Sequence, residues 1–254
     1  MGSEENDEMP KFFTARENIT ETEIRIESED AKHIRKVLRL SPGDEITVCD
    51  GRGIDYTAVI DRFGDGEIIC GIRDSRVCDA EPKIAVTLYQ GLPKASKMDY
   101  IIQKTTELGI VRIVPVRMAR CVVKVENAAA EKKKLERWRK IAGEAAKQSG
   151  RGIVPEICEI MSFEAALEDM RRAELCFAPY ECESETRLKT VLSDAAGIKT
   201  AAFMIGPEGG YDIAEYEKLR GAGVRTVTLG RRILRTETAG EAVLAMTMYS
   251  LDEI

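Results

Sequence analysis

The sequence predicts a two-domain chain, a small β barrel followed by a larger α/β domain with a mainly parallel sheet. Three observations carry this. Residues 9–77 hold short β-branched or alternating runs divided by turn signals. The composition shifts at 79–83, where Pro82 lies among polar residues. Beyond it, apolar runs of strand length alternate with stretches of helical spacing, the pattern of strands crossed over by helices.

In the first domain the strand candidates are 24–26, 45–49, 56–60 and 67–72, with one short helix over 30–38. Ser41-Pro42-Gly43-Asp44, Asp50-Gly51 and Gly64-Asp65-Gly66 supply the turns, and Asp50-Gly51 between two strand-like runs is a hairpin signal. In the second domain strands are expected at 84–89, 112–116, 154–157, 175–178, 201–205 and 226–229. A helix over 97–108 stops at Gly109, and a long helix over 128–149 opens on Asn127 as cap and closes at Gly150. The resulting division is an acidic tail at 1–8, a first domain at 9–78, a linker at 79–83 and a second domain at 84–254.

Composition narrows the function classes. No apolar run approaches the length of a membrane span, and the acidic start is unlike a secretory signal. Seven cysteines, an odd number with no C-x-x-C spacing, point to reduced thiols in a cytoplasmic protein, with neither a disulfide framework nor a metal site. The net charge of −6 argues against a nucleic-acid partner until its distribution is read. Between Lys94 and Arg151 there are fifteen Lys and Arg against six Asp and Glu, and Lys32, Arg35, Lys36 and Arg39 form a second basic cluster. Solvated helix faces account for such charge as readily as RNA contact does.

Two strand ends carry candidate chemistry, because ligands of open α/β sheets bind beyond the carboxyl ends of strands. The first is Ile205-Gly206-Pro207-Glu208-Gly209-Gly210, where glycines let the backbone approach a ligand and Glu208 favours a cationic or neutral one. It lacks both the P-loop and the dinucleotide glycine patterns. Asp212 and Glu215 form a capping box for the helix that follows. The second runs from Leu229 through Gly230, Arg231, Arg232, Ile233, Leu234, Arg235, Thr236, Glu237 and Thr238 to Ala239. Its T-x-x-E pattern, Thr238 with Glu241, predicts a helix starting near Ala239. A third segment, Glu144 to Arg151, places Glu144 and Gln148 on one helix face. Each of the three, by itself, is also compatible with an ordinary turn or a solvated surface.

Taken together, the segments Pro10-Lys11-Phe12-Phe13, His33 to Leu40, Pro42-Gly43-Asp44, Leu92-Pro93-Lys94, Gln103 to Gly109, Glu144 to Arg151, Gly206 to Gly210 and Leu229 to Ala239 resemble, in order and spacing, the RsmE family of 16S rRNA uridine-N3 methyltransferases. The pairing of Gly-Pro-Glu-Gly-Gly with the Leu229 segment is its most specific part. Two features depart from the family pattern: the acidic residues at 1–8, and Lys32 where relatives often carry a second histidine beside His33.

The resemblance implies a SPOUT-type C-terminal domain with a trefoil knot, preceded by a PUA-like RNA-binding β barrel, in a homodimer acting on 16S rRNA of the small subunit. It implies S-adenosylmethionine held by Ile205, Gly206, Pro207, Glu208, Gly209, Leu229, Gly230, Ile233, Leu234, Arg235, Thr236 and Thr238. Arg235, with Arg151 arriving from the other subunit, is expected to stabilise a uracil anion. Glu208, Glu144 and Glu237 are candidate proton acceptors. Lys32, Arg35, Arg39, Lys94, Lys97 and Lys104 are expected to grip RNA phosphates. Another SPOUT enzyme acting on transfer RNA or a ribose hydroxyl, and a catalytically silent RNA-binding assembly factor, remain open alternatives.

Overall fold

The computed structural model describes residues 10–122 and 127–254; the acidic residues at 1–8 lie outside them. The chain divides into two compact units, one reaching Glu81 and including Ala146–Ile153, the other formed by Pro82–Ala145 and Val154–Ile254.

The first unit is a curled five-stranded sheet. Its elements are β1 (Lys11–Phe13), β2 (Glu23–Glu27), α1 (Ser28–Lys36), β3 (Glu45–Cys49), β4 (Ile54–Phe63) and β5 (Glu67–Val77). The strand order is β1-β3-β4-β5-β2, antiparallel except for β1 beside β3. Strand alternation sends Ile24, Ile26, Ile46, Val48, Ile60 and Ile68 into one core, sealed by Ile34 of α1. Register shifts between β4 and β5 at Thr57/Ala58 and Ile60/Arg62 add the local twist that curls the sheet. The Asp50-Gly51 turn forms as expected, with Asp50 Oδ1 accepting from the Arg52 and Ile54 amides.

β1 is not among the expected strands, and β4 runs past both ends of its expected stretch; two further features of this unit also depart from the sequence reading. β5 continues to Val77, five residues past the expected end, because its ladder with β4 persists although residues 73–77 are exposed and show no alternation. The segment 146–153, assigned by sequence to the second domain, packs in the first unit. Gly152 lacks the Cβ that would lie 2.5 Å from Cys78 Cβ, so the backbone comes close enough for Gly152 O to accept from Gly53 N at 3.1 Å. Lys147 pairs with Asp30 at 2.9 Å, and the buried Arg151 guanidinium with Glu81 at 2.7 Å.

The second unit contains β6 (Ala85–Gly91), α2 (Lys97–Glu107), β7 (Arg112–Arg117), α3 (Ala128–Gln148) up to Ala145, β8 (Glu156–Ile157), β9 (Met161–Ser162), α4 (Phe163–Met170), β10 (Leu175–Pro179), α5 (Leu188–Ser193), β11 (Thr200–Ile205), α6 (Ile213–Gly221), β12 (Arg225–Val227) and α7 (Thr236–Ser250). Its sheet has the order β12-β10-β11-β6-β7-β8, every pair is parallel, and β9 joins β7 beside β8. Both faces are covered. Ile101, Trp138, Val191 and Val243 pack on one side from α2, α3, α5 and α7, and Phe163, Met170 and Leu219 on the other from α4 and α6.

Local signals set the helix ends. Asn127 Oδ1 accepts from the Ala130 amide to cap α3, Gly109 takes φ +89 after α2, and Asp212 with Glu215 completes the capping box of α6. α7 differs: it starts at Thr236, not near Ala239, with Arg235 at the cap position and no side-chain cap. Thr238 is therefore inside the first turn, and Glu241 accepts from the Tyr100 hydroxyl instead of closing a capping box. Tertiary bonds to Thr236, described below, draw the helix start back by three residues.

Candidate active site

Strands β10, β11 and β12 lie side by side and run parallel, so their carboxyl ends share one edge of the sheet. Three loops leave that edge, 180–187, 206–212 and 228–235, and they enclose a cavity of about 510 Å³. That size suits a small-molecule ligand.

Glycine at 206 and 210 makes the floor possible. A Cβ on Gly206 would lie 3.2 Å from the Gly210 carbonyl carbon, and Gly210 has φ +66 with Glu181 Oε1 only 2.7 Å from where its Cβ would stand. Side chains would spread the loop and fill the cradle. Beneath it, the Tyr211 hydroxyl donates to Met204 O, and full burial pushes that phenol well above its ordinary pKa.

Two ties join the 206–210 loop to the start of α7. On the inner side Thr236 Oγ1 donates to Gly206 O at 2.7 Å and accepts from Gln90 Nε2 at 2.9 Å. On the outer side Lys97 Nζ stands 3.2 Å from Glu208 Oε1 and 3.0 Å from Glu237 Oε2, while the Lys94 amide donates to Glu208 at 3.0 Å. Arg120 reaches the same loop through Gly209 O at 2.9 Å.

Partial burial alone would raise the Glu208 and Glu237 carboxyls. The Lys94 amide and the Lys97 ammonium outweigh it at Glu208, and the backbone amide of Glu237 and Lys97 do so at Glu237, so both titrate below the ordinary carboxylate range. A depressed folded pKa contributes stability that is complete above the unfolded value and lost as the pH falls through the folded one. The loops should thus stay tied at neutral pH and loosen only in acid. Thermal unfolding followed from pH 7 to pH 3 should show Glu208→Gln flattening the acid limb; an unchanged limb would count against the tie.

The cavity is lined by seven of the residues expected to hold a cofactor: Ile205, Gly206, Leu229, Gly230, Ile233, Leu234 and Thr236. Pro207 turns away and packs on Gly91, where an added Cβ would meet Pro207 N at 2.7 Å. Glu208 and Gly209 face Lys97 and Arg120, and Arg235 and Thr238 are exposed without lining the cavity. Of the other expected catalytic groups, Glu144 is exposed on α3 and Arg151 is engaged by Glu81 within the first unit. Among the expected phosphate contacts, Lys32, Arg35, Arg39 and Lys94 are exposed, Lys97 is tied as above and Lys104 pairs with Glu107.

Sequence reasoning missed Gln90 and the 180–187 loop. Gln90 had a signal, a polar amide directly after the mostly apolar run at 84–89, and the structure buries it fully. The loop contributes Glu181, Glu183 and Arg187 to the lining. The amides of Glu185 and Thr186 hold the Glu183 carboxyl below its ordinary range, so it is an anion at neutral pH. Carboxylates on one loop, Arg231 and Arg232 on another and apolar Leu229, Leu234 and Ala239 between them suit a ligand with both charges and a flat apolar part. Among the described residues no group of three His, Cys, Asp or Glu is placed to hold a metal ion, and no helix is long and apolar enough to cross a membrane.

This arrangement defines an RNA methyltransferase fold with an accessory domain: residues 80–248 match the RNA methyltransferase domain, and residues 26–73 the RNA methyltransferase PUA domain. The chain is 36% identical over 231 residues to the ribosomal RNA small subunit methyltransferase E of Bacillus subtilis, covering 89% of this chain and 90% of that protein. The crystal structure of the Neisseria gonorrhoeae methyltransferase E bound to S-adenosylmethionine superposes with a TM-score of 0.84 at 32% identity, covering 96% of this chain and 98% of that one. A Legionella pneumophila structure with the same cofactor gives 0.85 at 26% identity, covering 95% and 98%. The chain belongs to the ribosomal RNA small subunit methyltransferase E family.

Proposed function

We propose that this chain transfers the methyl group of S-adenosylmethionine to N3 of a uridine in 16S rRNA of the small ribosomal subunit, as a cytoplasmic homodimer. The reading is carried by the glycine-floored cavity where three parallel strands end, in a chain of this family. Residues 9–78 serve as the RNA-binding domain and 84–254 as the methyltransferase domain. The latter is tied in the trefoil knot of the SPOUT class, a reading that agrees with β12 lying beyond β10 in the sheet and α7 returning to share a core with α2.

The residues present fit the cofactor. Gly206, Gly210 and the apolar lining would hold the adenosine part, and the cavity's carboxylates and arginines its charged end. When bound, the group supplies an electrophilic methyl on a sulfonium. The protein must set uridine N3 in line with that methyl, and positioning of this kind gives much of a rate gain. N3 of neutral uracil carries a proton, so Arg235 would stabilise the anion left when it departs. Glu208 and Glu237, held ionised by Lys97 and at depressed pKa, are weak proton acceptors. Arg235 is therefore assigned the larger part, making the anion accessible so that the proton passes to solvent.

The deciding experiment is methyl transfer from labelled S-adenosylmethionine to small subunits lacking the modification, followed by nucleoside mass spectrometry. Labelled 3-methyluridine is expected; a labelled 2′-O-methyl nucleoside or no transfer would overturn the reading. Lys32, Arg35, Arg39 and Lys94 are exposed where phosphates can reach them. With four such contacts, a slope near −0.7 per contact for single-stranded RNA gives roughly a 50-fold loss of affinity between about 50 and 200 mM salt. Fluorescence anisotropy with a 16S fragment would measure it, and a flat salt dependence would remove these contacts.

A further inference from the structure

The Lys97 side chain is out of place for a phosphate contact and for its own helix. It lies in the first turn of α2, at the positive end of the helix dipole, where a cation is disfavoured. Two carboxylates from distant parts of the chain stand at ion-pair distance, Glu208 at 3.2 Å and Glu237 at 3.0 Å. The three side chains are 27%, 25% and 18% exposed, so the cluster is partly withdrawn from water. An ion pair in that setting is screened less than one on open surface.

The cluster lies outside the cavity but between the two segments that frame it. Gly206 and Gly210 line the cavity from one segment and Leu234 and Thr236 from the other, whereas Lys97, Glu208 and Glu237 do not line it. Thr236 ties the segments on the inner side and Lys97 on the outer side. A loop with three glycines in five residues loses much entropy when ordered, and any ordering not done in the free protein is charged against ligand affinity.

We propose that Lys97 is a positioning residue: its ammonium clamps Glu208 to Glu237, holds the 206–210 loop against the start of α7, and so keeps the cofactor cavity formed before the cofactor arrives. This rests on the reading of the cavity as the S-adenosylmethionine site. It assigns Lys97 to the cofactor loops and withdraws it from the RNA face.

Calorimetry with S-adenosylmethionine on the full chain tests it, alongside anisotropy with a 16S fragment. Lys97→Met should weaken the cofactor about tenfold and leave RNA affinity within about twofold. Lys97→Arg, which keeps the charge, should recover most of the loss. Glu237→Gln breaks the same clamp from its other end and should give a similar loss, so the inference stays testable if Lys97→Met fails to fold. The two changes combined should lose clearly less than the product of their single effects. Cofactor affinity within twofold of the unaltered chain in Lys97→Met or Glu237→Gln would overturn the clamp, as would a loss of RNA binding with cofactor affinity intact. If the unaltered chain itself fails to bind the cofactor, the reading of the cavity falls and takes the inference with it.

Discussion

Arg235→Ala is expected to lower turnover by about 10²- to 10³-fold while the dissociation constant for S-adenosylmethionine changes by less than about threefold. The asymmetry follows from where the residue sits. Its neighbours Leu234 and Thr236 line the cavity, whereas Arg235 is exposed, forms no ion pair among the described residues and makes no side-chain cap for α7. Its removal therefore costs the fold little and takes no lining from the cofactor. What is lost is an exposed positive charge next to the lining residues Leu234 and Thr236, which the proposed mechanism assigns to the uracil anion. Single-turnover kinetics combined with calorimetry measure the two quantities separately, and equal losses in both would show Arg235 to be a cofactor contact instead.

The second large effect is on stability. Glu81→Ala should destabilise the chain by about 3–5 kcal/mol, because it strips the carboxylate from a nearly fully buried guanidinium. Arg151 is 2% exposed. Glu81 accepts from Arg151 Nη2 at 2.7 Å, from Arg151 Nε at 3.3 Å, and from the amides of Gly152 and Ile153 at 2.8 and 2.9 Å. One substitution removes all of these. Urea denaturation of the two forms gives the difference directly, and a shift below about 1 kcal/mol, the range of an exposed pair, would show that the pairing is worth no more than a surface salt bridge. The same geometry bears on the expectation that Arg151 acts on substrate, since its guanidinium would first have to leave Glu81.

Much of the fold could be read from local pattern. The capping box at Asp212, the Asn127 cap and the Gly109 stop depend on residues within one helical turn, so short-range spacing was enough to place them. The same holds for the apolar alternation of β2 and β3. Where local signal was absent or outweighed, the reading went astray. The outer half of β5 carries no alternation, yet its partner strand holds it in register. Thr238 and Glu241 spell a capping box, but hydrogen bonds from Gln90 and to Gly206 O fix Thr236 as the first helical residue.

The amino-acid sequence by itself picked out two of the three loops that enclose the cavity, because glycines at 206 and 210 and arginines beside apolar residues at 231–235 are visible as local pattern. It also determined the family, through the order of those segments. Only the tertiary structure decided what those loops face. Strand order brings the 180–187 loop to the same sheet edge and adds carboxylates to the cavity, and it turns Glu208 and Glu237 outward onto Lys97. The physical reason is that strand order and charge pairing are set by contacts between residues far apart in the chain. The partners of Lys97 lie more than one hundred positions away, a distance over which periodicity and spacing carry no information.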